Sequence, residues 1–251
     1  MVRQGSRRWH DGSMPAATAR AVPATDALPS ADSLLPEGFT PAARRSLMKA
    51  DPTLGALMKQ VGPFRMKVNS IQSPFLALAE SIVYQQLTGK AAATIFGRVC
   101  ERVGKGRRFT PEAVLAHPVE GLREAGLSGA KTAALKDLAA KTLEGEVPTL
   151  ARAKRMSDAE LVEHLTKVRG IGQWTVEMLL MFRLGRPDVL PVDDYGVRKG
   201  FMRTYGLDEL PRPKELLAYG ERWRPWRSVA SWYMWRALEL DKPVGSGGGR
   251  A

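Results

Sequence analysis

Two short groups of residues in the second half of the chain could do chemistry. The first is Gly170-Ile171-Gly172, which lies between two stretches of helical periodicity. Two glycines around one apolar residue permit a tight turn with positive φ, and they leave the amides at the start of the next helix open. Such amides bind phosphate with help from the helix dipole, and they read no base edges. The alternative for this group is a simple turn between two helices.

The second group is the carboxylate pair Asp193-Asp194, which follows Leu190-Pro191 and opens another helical stretch. An aspartate at a helix start is ordinarily only an N-cap. Beside a bound polyanion, however, a carboxylate is unfavourable unless it meets developing positive charge. Cleavage of an N-glycosidic bond creates such charge on the deoxyribose, and a preorganised carboxylate stabilises it.

The composition favours a polyanionic partner. The 251 residues contain 38 Lys and Arg against 26 Asp and Glu, which gives a formal net charge of +12. An excess of this size points first to nucleic acid, the alternative being a charge that serves only solubility. The single cysteine, Cys100, excludes an intramolecular disulfide, a cysteine-ligated iron–sulfur cluster and a cysteine-type zinc site.

The rest of the sequence predicts a helical scaffold. Helix starts are marked by a capping residue, often followed by proline, and no stretch shows the sustained alternation of a strand. We therefore expect an all-α fold of roughly ten short helices, with no amino-terminal β domain. The predicted starts are Thr40-Pro41, Asp51-Pro52, Ser73-Pro74, Thr110-Pro111, Ser128 and Ser157.

Three regions are predicted along the chain. Residues 1–38 are rich in Ala, Pro, Ser and Arg and read as a disordered basic tail. Residues 72–203 form a helical bundle, and residues 39–71 with 204–245 form a second, terminal lobe. No apolar run is long enough to span a membrane, and the amino terminus lacks an apolar signal core. We expect an intracellular protein, in the cytoplasm or nucleoid if bacterial.

The motifs together resemble a known family. Residues 168–175 (Val-Arg-Gly-Ile-Gly-Gln-Trp-Thr), a helix, and residues 192–195 (Val-Asp-Asp-Tyr) resemble the helix-hairpin-helix–Gly/Pro/Asp superfamily of DNA glycosylases. Within it the chain is most similar to the 3-methyladenine DNA glycosylase II family. Residues 82–87 are similar to that family's Gln-Gln segment, and residues 221–228 with Trp235 to its carboxyl-terminal tryptophan block.

The resemblance implies a two-lobed helical glycosylase with a helix-hairpin-helix at about residues 158–183. It implies hydrolysis of the N-glycosidic bond of flipped-out alkylated bases of the 3-methyladenine and 7-methylguanine type, which leaves an abasic site. Asp194 falls at the catalytic aspartate, with Asp193 as the weaker alternative. Trp174 stands where strand-cleaving relatives carry a lysine nucleophile, which implies a monofunctional enzyme. The implied base-pocket residues are Trp174, Met178, Tyr195 and Trp235, whereas Trp223, Trp226 and Trp232 are expected to be structural.

Further roles follow from the same resemblance. Gln86 or Leu87 would be the wedge that fills the gap in the base stack; the alternative is that Leu87 packs in the core and Gln86 caps a helix. Arg169 stands where the family usually has proline and could add a phosphate contact. The implied DNA-binding residues are Gln86, Leu87, Arg169, Gly170, Gly172 and Thr175.

The resemblance also implies the other components of the system. A structural Na⁺ or K⁺ would be held by the main-chain carbonyls of Thr166, Val168 and Ile171. No organic cofactor and no iron–sulfur cluster are expected. The partner is double-stranded DNA containing damaged bases, with no membrane, and the protein is expected to be a monomer. Two other functions stay open: a non-catalytic helix-hairpin-helix DNA-binding protein, or a relative that excises oxidised or mismatched bases.

Overall fold

The computed structural model describes residues 39–69, 71–104 and 109–240; the predicted tail of residues 1–38 lies outside them. Across these three ranges the chain forms thirteen α-helices and one short 3₁₀ helix, with no strand. The predicted all-α class is confirmed. None of the helices in these ranges is both long enough and apolar enough to span a membrane.

The helices follow one another through short connections. In chain order they are α1 (Pro41–Ala50), α2 (Pro52–Val61), α3 (Pro74–Tyr84), α4 (Gly89–Gly104), α5 (Pro111–Ala116), α6 (Val119–Glu124), α7 (Gly129–Leu143), α8 (Leu150–Arg155), α9 (Asp158–Leu165), α10 (Gln173–Phe182), α11 (Tyr195–Thr204), α12 (Pro213–Gly220), the 3₁₀ turn Glu221–Trp223, and α13 (Arg227–Ala237).

The predicted helix starts are confirmed, and the reason is local. At each of them the side chain of the capping residue accepts a hydrogen bond from the amide three residues further on, which satisfies one of the helix's unpaired donors. Ser157 adds a reciprocal bond from Glu160, which completes a capping box. The six capping residues are Thr40, Asp51, Ser73, Thr110, Ser128 and Ser157.

The described residues divide into two units, each with its own core. The central unit runs over Val68–Gly185, and the terminal unit combines residues before 68 with those from Arg186 onward. In the central unit α3 and α7 pack together, and α10 packs on α9. The predicted bundle of residues 72–203 differs from this division, because residues 186–203 group with the terminal segments through the packing of α11 on α13.

A buried carboxylate joins three elements of the terminal unit. Asp51 caps α2 through the amide of Leu54, and its Oδ2 accepts from the Tyr205 hydroxyl at 2.6 Å and from the Trp223 indole at 2.8 Å. Burial raises the pKa of Tyr205 far above that of a free phenol, and the hydrogen bond and charge of Asp51 raise it further. The fold therefore holds Tyr205 in its neutral form.

Alkaline pH should weaken this network in a way that Tyr205→Phe reveals. The unfolded phenol ionises near pH 10, whereas the folded one stays protonated above that pH. The contribution of Tyr205 to the free energy of unfolding is thus fully present below about pH 10 and is lost as the pH rises towards its folded pKa. In urea unfolding at a series of pH values, the wild type should lose up to about 1.4 kcal/mol per pH unit more than Tyr205→Phe above pH 10. Equal slopes for the two proteins would contradict this assignment.

Candidate functional site

The turn between α9 and α10 is held in place by two buried side chains and a main-chain hydrogen bond. The side chains of Val168 and Ile171 are buried, and the Ile171 amide donates to the Val168 carbonyl at 3.0 Å. Gly170 has φ 78°, a conformation that favours glycine. The expectation of positive φ holds for Gly170 only, since Gly172 has φ −97° and forms the extended N-cap of α10. Gly172 serves instead as a cap without a side chain.

The amino-terminal end of α10 suits an anion. Gly172 and Gln173 are exposed, and Gly172 supplies no side-chain cap, so a phosphate can reach the main chain at these two residues. The predicted contact Thr175 lies differently: its side chain is buried, and its amide donates to the Gly172 carbonyl at 2.9 Å. Arg169 is exposed beside this end. Thr175 therefore supports the turn from inside, whereas Arg169, Gly172 and Gln173 face solvent.

The turn between α3 and α4 presents the two predicted wedge residues. Gln86 is exposed and adopts φ 59°, and Leu87 is 39% exposed. The alternative in which Leu87 packs in the core and Gln86 caps the helix is not observed, because Gln85 is the C-cap of α3. The Gln85 carboxamide donates to the Gly170 carbonyl at 2.9 Å. Within the central unit, the structure thus brings the wedge turn against the hairpin.

The two adjacent aspartates lie in different environments. Asp194 is 9% exposed and caps α11, its Oδ1 accepting from the Val197 amide at 2.8 Å. The same oxygen accepts from the Trp235 indole at 2.8 Å. Asp193 is exposed. A carboxylate for electrostatic catalysis must be held in place before the reaction, and this requirement favours Asp194.

Gly196 leaves room for the Trp235 indole to reach the Asp194 carboxylate. A Cβ at Gly196 would lie 2.8 Å from Cδ1 of Trp235 and 3.1 Å from Oδ1 of Asp194, so any larger residue would separate the two. Trp235 is 8% exposed, and its indole N–H donates to Asp194, so the predicted pocket residue contacts the predicted catalytic aspartate. Gly196 is not among the predicted site residues, because its only signal in the sequence is its place directly after Asp194-Tyr195.

The other predicted pocket aromatics lie at the surface or half-buried. Tyr195 is 42% exposed, and the Lys199 ammonium lies 5.6 Å from the centre of its ring. In the central unit, Trp174 and Met178 are half-buried on α10. The three tryptophans expected to be structural are packed against other aromatic rings, namely Trp223 on Phe201 and Tyr219, Trp226 on Phe39, and Trp232 on Phe64.

The carboxyl-terminal block fixes the loop that leads to Asp194. Arg227 donates through Nε to Asp188 Oδ1 at 2.7 Å and through Nη2 to the Asp188 carbonyl at 2.9 Å. Ser228 accepts from the Val189 amide at 2.9 Å and donates to the Arg186 carbonyl at 2.7 Å. Because three of these four bonds involve main-chain atoms of residues 186–189, they set the path of the backbone just before the aspartates.

At the turn between α9 and α10, the oxygen atoms that could bind a cation are main-chain carbonyls. The described part of the chain contains no group of three or more His, Cys, Asp or Glu that could hold a metal. The Val168 carbonyl accepts one hydrogen bond, from Ile171, and a carbonyl oxygen has a second lone pair. The carbonyls of Thr166, Val168 and Ile171 all belong to the short connection between α9 and α10. The donor set suits a monovalent cation, which requires no charged ligand.

Comparison with known proteins places this geometry in context. Residues 79–225 match the profile of the HhH-GPD superfamily of base excision DNA repair proteins. The chain is 38% identical over 192 residues to DNA-3-methyladenine glycosylase 1 of Schizosaccharomyces pombe, a match that covers 75% of this chain and 84% of the relative.

Two solved structures show the same fold. The 3-methyladenine DNA glycosylase of S. pombe in complex with abasic DNA has a TM-score of 0.69 at 37% identity, over 80% of this chain and 98% of that one. The DNA-3-methyladenine glycosidase of Bacillus halodurans has a TM-score of 0.72 at 33% identity, over 80% of this chain and 91% of that one.

Proposed function

Because the chain belongs to the HhH-GPD superfamily of base excision DNA repair proteins, we propose that it is a DNA glycosylase acting on alkylated bases. It binds DNA and hydrolyses the N-glycosidic bond of the damaged nucleotide. The observation that carries the proposal is the Asp194 carboxylate, which the Val197 amide and the Trp235 indole hold at the start of α11. The names of its relatives support 3-methyladenine as a substrate. We extend the proposal to 7-methylguanine, because alkylation at a purine ring nitrogen makes that base cationic as well.

The chemistry needs little beyond that carboxylate. The base must first leave the stack, which costs a few kcal/mol and less for a damaged base. Alkylation at a purine ring nitrogen makes the base cationic, so it stacks well on aromatic faces such as Trp174 and departs without a general acid. Asp194 then stabilises the oxocarbenium-like sugar electrostatically and helps a water attack it.

We further propose that the enzyme is monofunctional. A strand-cleaving glycosylase needs an amine nucleophile, and Trp174 occupies the position at which such relatives carry lysine. The product is then an abasic site in an intact strand. The same residue, together with the single cysteine of the chain, argues against a relative that excises oxidised or mismatched bases.

The remaining components are also proposals. The carbonyls of Thr166, Val168 and Ile171 would hold Na⁺ or K⁺, which would orient the hairpin amides. The test replaces Na⁺ and K⁺ in the buffer with tetramethylammonium at constant ionic strength. Unchanged DNA binding after this replacement would contradict the cation site. The protein acts as a monomer on double-stranded DNA inside the cell. Sedimentation as a dimer, or recovery outside the cell fraction that holds the DNA, would contradict these two statements.

The test is release of bases from methylated duplex DNA, followed by mass spectrometry. The expected products are free 3-methyladenine and 7-methylguanine, with strand breaks appearing only after alkali treatment. DNA binding without any released base would support a non-catalytic hairpin protein instead. Release of an oxidised base, together with a covalent adduct trapped by borohydride, would support a lyase.

A further inference from the structure

Helix α7 is bonded to the turn that presents Gln86 and Leu87. The Lys131 ammonium donates to the carbonyls of Val83 and Gln85, both at 2.7 Å. These carbonyls belong to the carboxyl-terminal end of α3, where intrahelical donors run out and a cation also meets the favourable end of the helix dipole. Lys131 therefore fixes the main chain immediately before the wedge residues.

The same helix is bonded to the hairpin about two turns further on. Oδ2 of Asp137 accepts from the Arg169 amide at 2.7 Å, and its Oδ1 accepts from Lys141 at 3.0 Å. Between these points the backbone of the hairpin lies directly on α7, since a Cβ at Gly170 would come within 3.3 Å of the Ala134 methyl group. Asp137 thus fixes the main chain at the start of the phosphate-binding turn.

A bond between the two turns completes the arrangement. The Gln85 side chain donates to the Gly170 carbonyl, so the wedge turn and the hairpin are joined to each other as well as to α7. All four of these bonds join a side chain to a main-chain atom, so they position backbones rather than side chains. Lys131 is partly buried for this purpose, and desolvation lowers its pKa.

We propose that Lys131, Asp137 and Gln85 are positioning residues that fix the wedge turn relative to the phosphate-binding hairpin. The inference rests on the proposed glycosylase function, and it concerns the flipping step rather than bond cleavage. With the hairpin anchored on phosphate, a fixed turn inserts into the stack without first being ordered. A loosened turn must lose that conformational entropy while it displaces a paired base. The effect should disappear when the damaged base is already unpaired.

The chain offers a matched control on the same helix. Lys136 donates to the carbonyls of Leu115 and His117 at 2.7 and 2.6 Å, which is the same chemistry directed at a different turn. Lys131→Met and Lys136→Met therefore remove equivalent bonds and should lower stability by similar amounts. Only Lys131→Met removes bonds to the main chain that leads into the turn with Gln86 and Leu87.

The experiment compares single-turnover release of 7-methylguanine opposite cytosine with release opposite an abasic-site analogue. Lys131→Met should slow release from the paired site on the order of tenfold and change release from the unpaired site by less than about twofold, since two charge-assisted bonds are lost. Lys136→Met should leave the ratio of the two rates as in the wild type. Gln85→Ala, which removes one exposed bond and keeps the core intact, should shift the ratio in the same direction by about threefold.

The outcomes separate the two proposals. If Lys131→Met or Gln85→Ala lowers both rates by one common factor, the positioning role is overturned, while the glycosylase function stands. A wild-type protein that releases 7-methylguanine from neither duplex overturns the glycosylase function and this inference with it. Should Lys131→Met fail to fold, Gln85→Ala alone decides the matter, because its bond is at the surface.

Discussion

Asp194→Asn is expected to lower the rate of alkylated-base release at least about a hundredfold, while affinity for undamaged DNA is retained. The amide has the shape of the carboxylate, and its Oδ1 can still accept from Val197 and Trp235, so the cap of α11 persists. What disappears is the negative charge that, in the proposed mechanism, stabilises the developing positive charge of the sugar. Single-turnover release measured by mass spectrometry, with binding measured by fluorescence anisotropy, separates the two effects.

The neighbouring aspartate provides the control. Asp193→Asn makes the same change of charge one residue away, at an exposed position, and should leave base release within about twofold of the wild type. Release by Asp194→Asn at the wild-type rate would show that the assignment is wrong. A large loss in Asp193→Asn with normal activity in Asp194→Asn would transfer the role to Asp193.

Gly200→Ala should destabilise the terminal unit by about 3 kcal/mol or more. A Cβ at Gly200 would lie 2.0 Å from the carbonyl oxygen of Met234 and 2.6 Å from its carbonyl carbon. These are backbone atoms of α13, which cannot rotate aside as a side chain would, so α11 and α13 must separate. Because Asp194 begins α11 and Trp235 follows Met234, that separation should also break their hydrogen bond and lower activity in the fraction that remains folded.

A second glycine shows what the same substitution does in open space. Gly97 lies within α4, and a Cβ there would meet nothing within 4 Å. Gly97→Ala should raise the free energy of unfolding by about 0.5–1 kcal/mol, because alanine favours the helix and restricts the unfolded chain. Urea unfolding of the two variants measures both effects. A Gly200→Ala protein as stable as the wild type would disprove the close contact between α11 and α13.

Local chemistry explains which parts of the fold could be predicted. The helix starts at Thr40, Asp51 and Ser73 depend on a side chain and an amide three residues away, so the sequence contains the whole interaction. The sequence predicts that residues 186–203 belong to the central bundle, whereas their contacts group them with the terminal segments, because their partner α13 lies far along the chain. The positive φ of Gln86 has no local sequence signal, since glycine is the residue that ordinarily marks such a conformation.

The candidate site also combines residues that could be predicted from a local motif with contacts to distant residues that could not. Asp194 could be selected from its motif, but the indole that holds it comes from Trp235, 41 residues later. The sequence predicts Trp235 as a base-pocket residue, but it contains no signal for the hydrogen bond from Trp235 to Asp194. Asp51 was predicted only as a helix cap, although its side chain also accepts from Tyr205 and Trp223, 154 and 172 residues away. A pattern of residue types does not encode such distant partners.

The split of the terminal unit around the central one has a consequence for biosynthesis. Residues 68–185 emerge from the ribosome as one uninterrupted segment and can fold while the rest is still being made. The hydrogen bonds of Asp51 can form only after Tyr205 and Trp223 have been synthesised. They close a long loop, and the entropy cost of that closure makes the step slow. Trp235, whose indole donates to Asp194, is synthesised later still. A nascent chain therefore completes the turn between α9 and α10 first and the hydrogen bonds that hold Asp194 last.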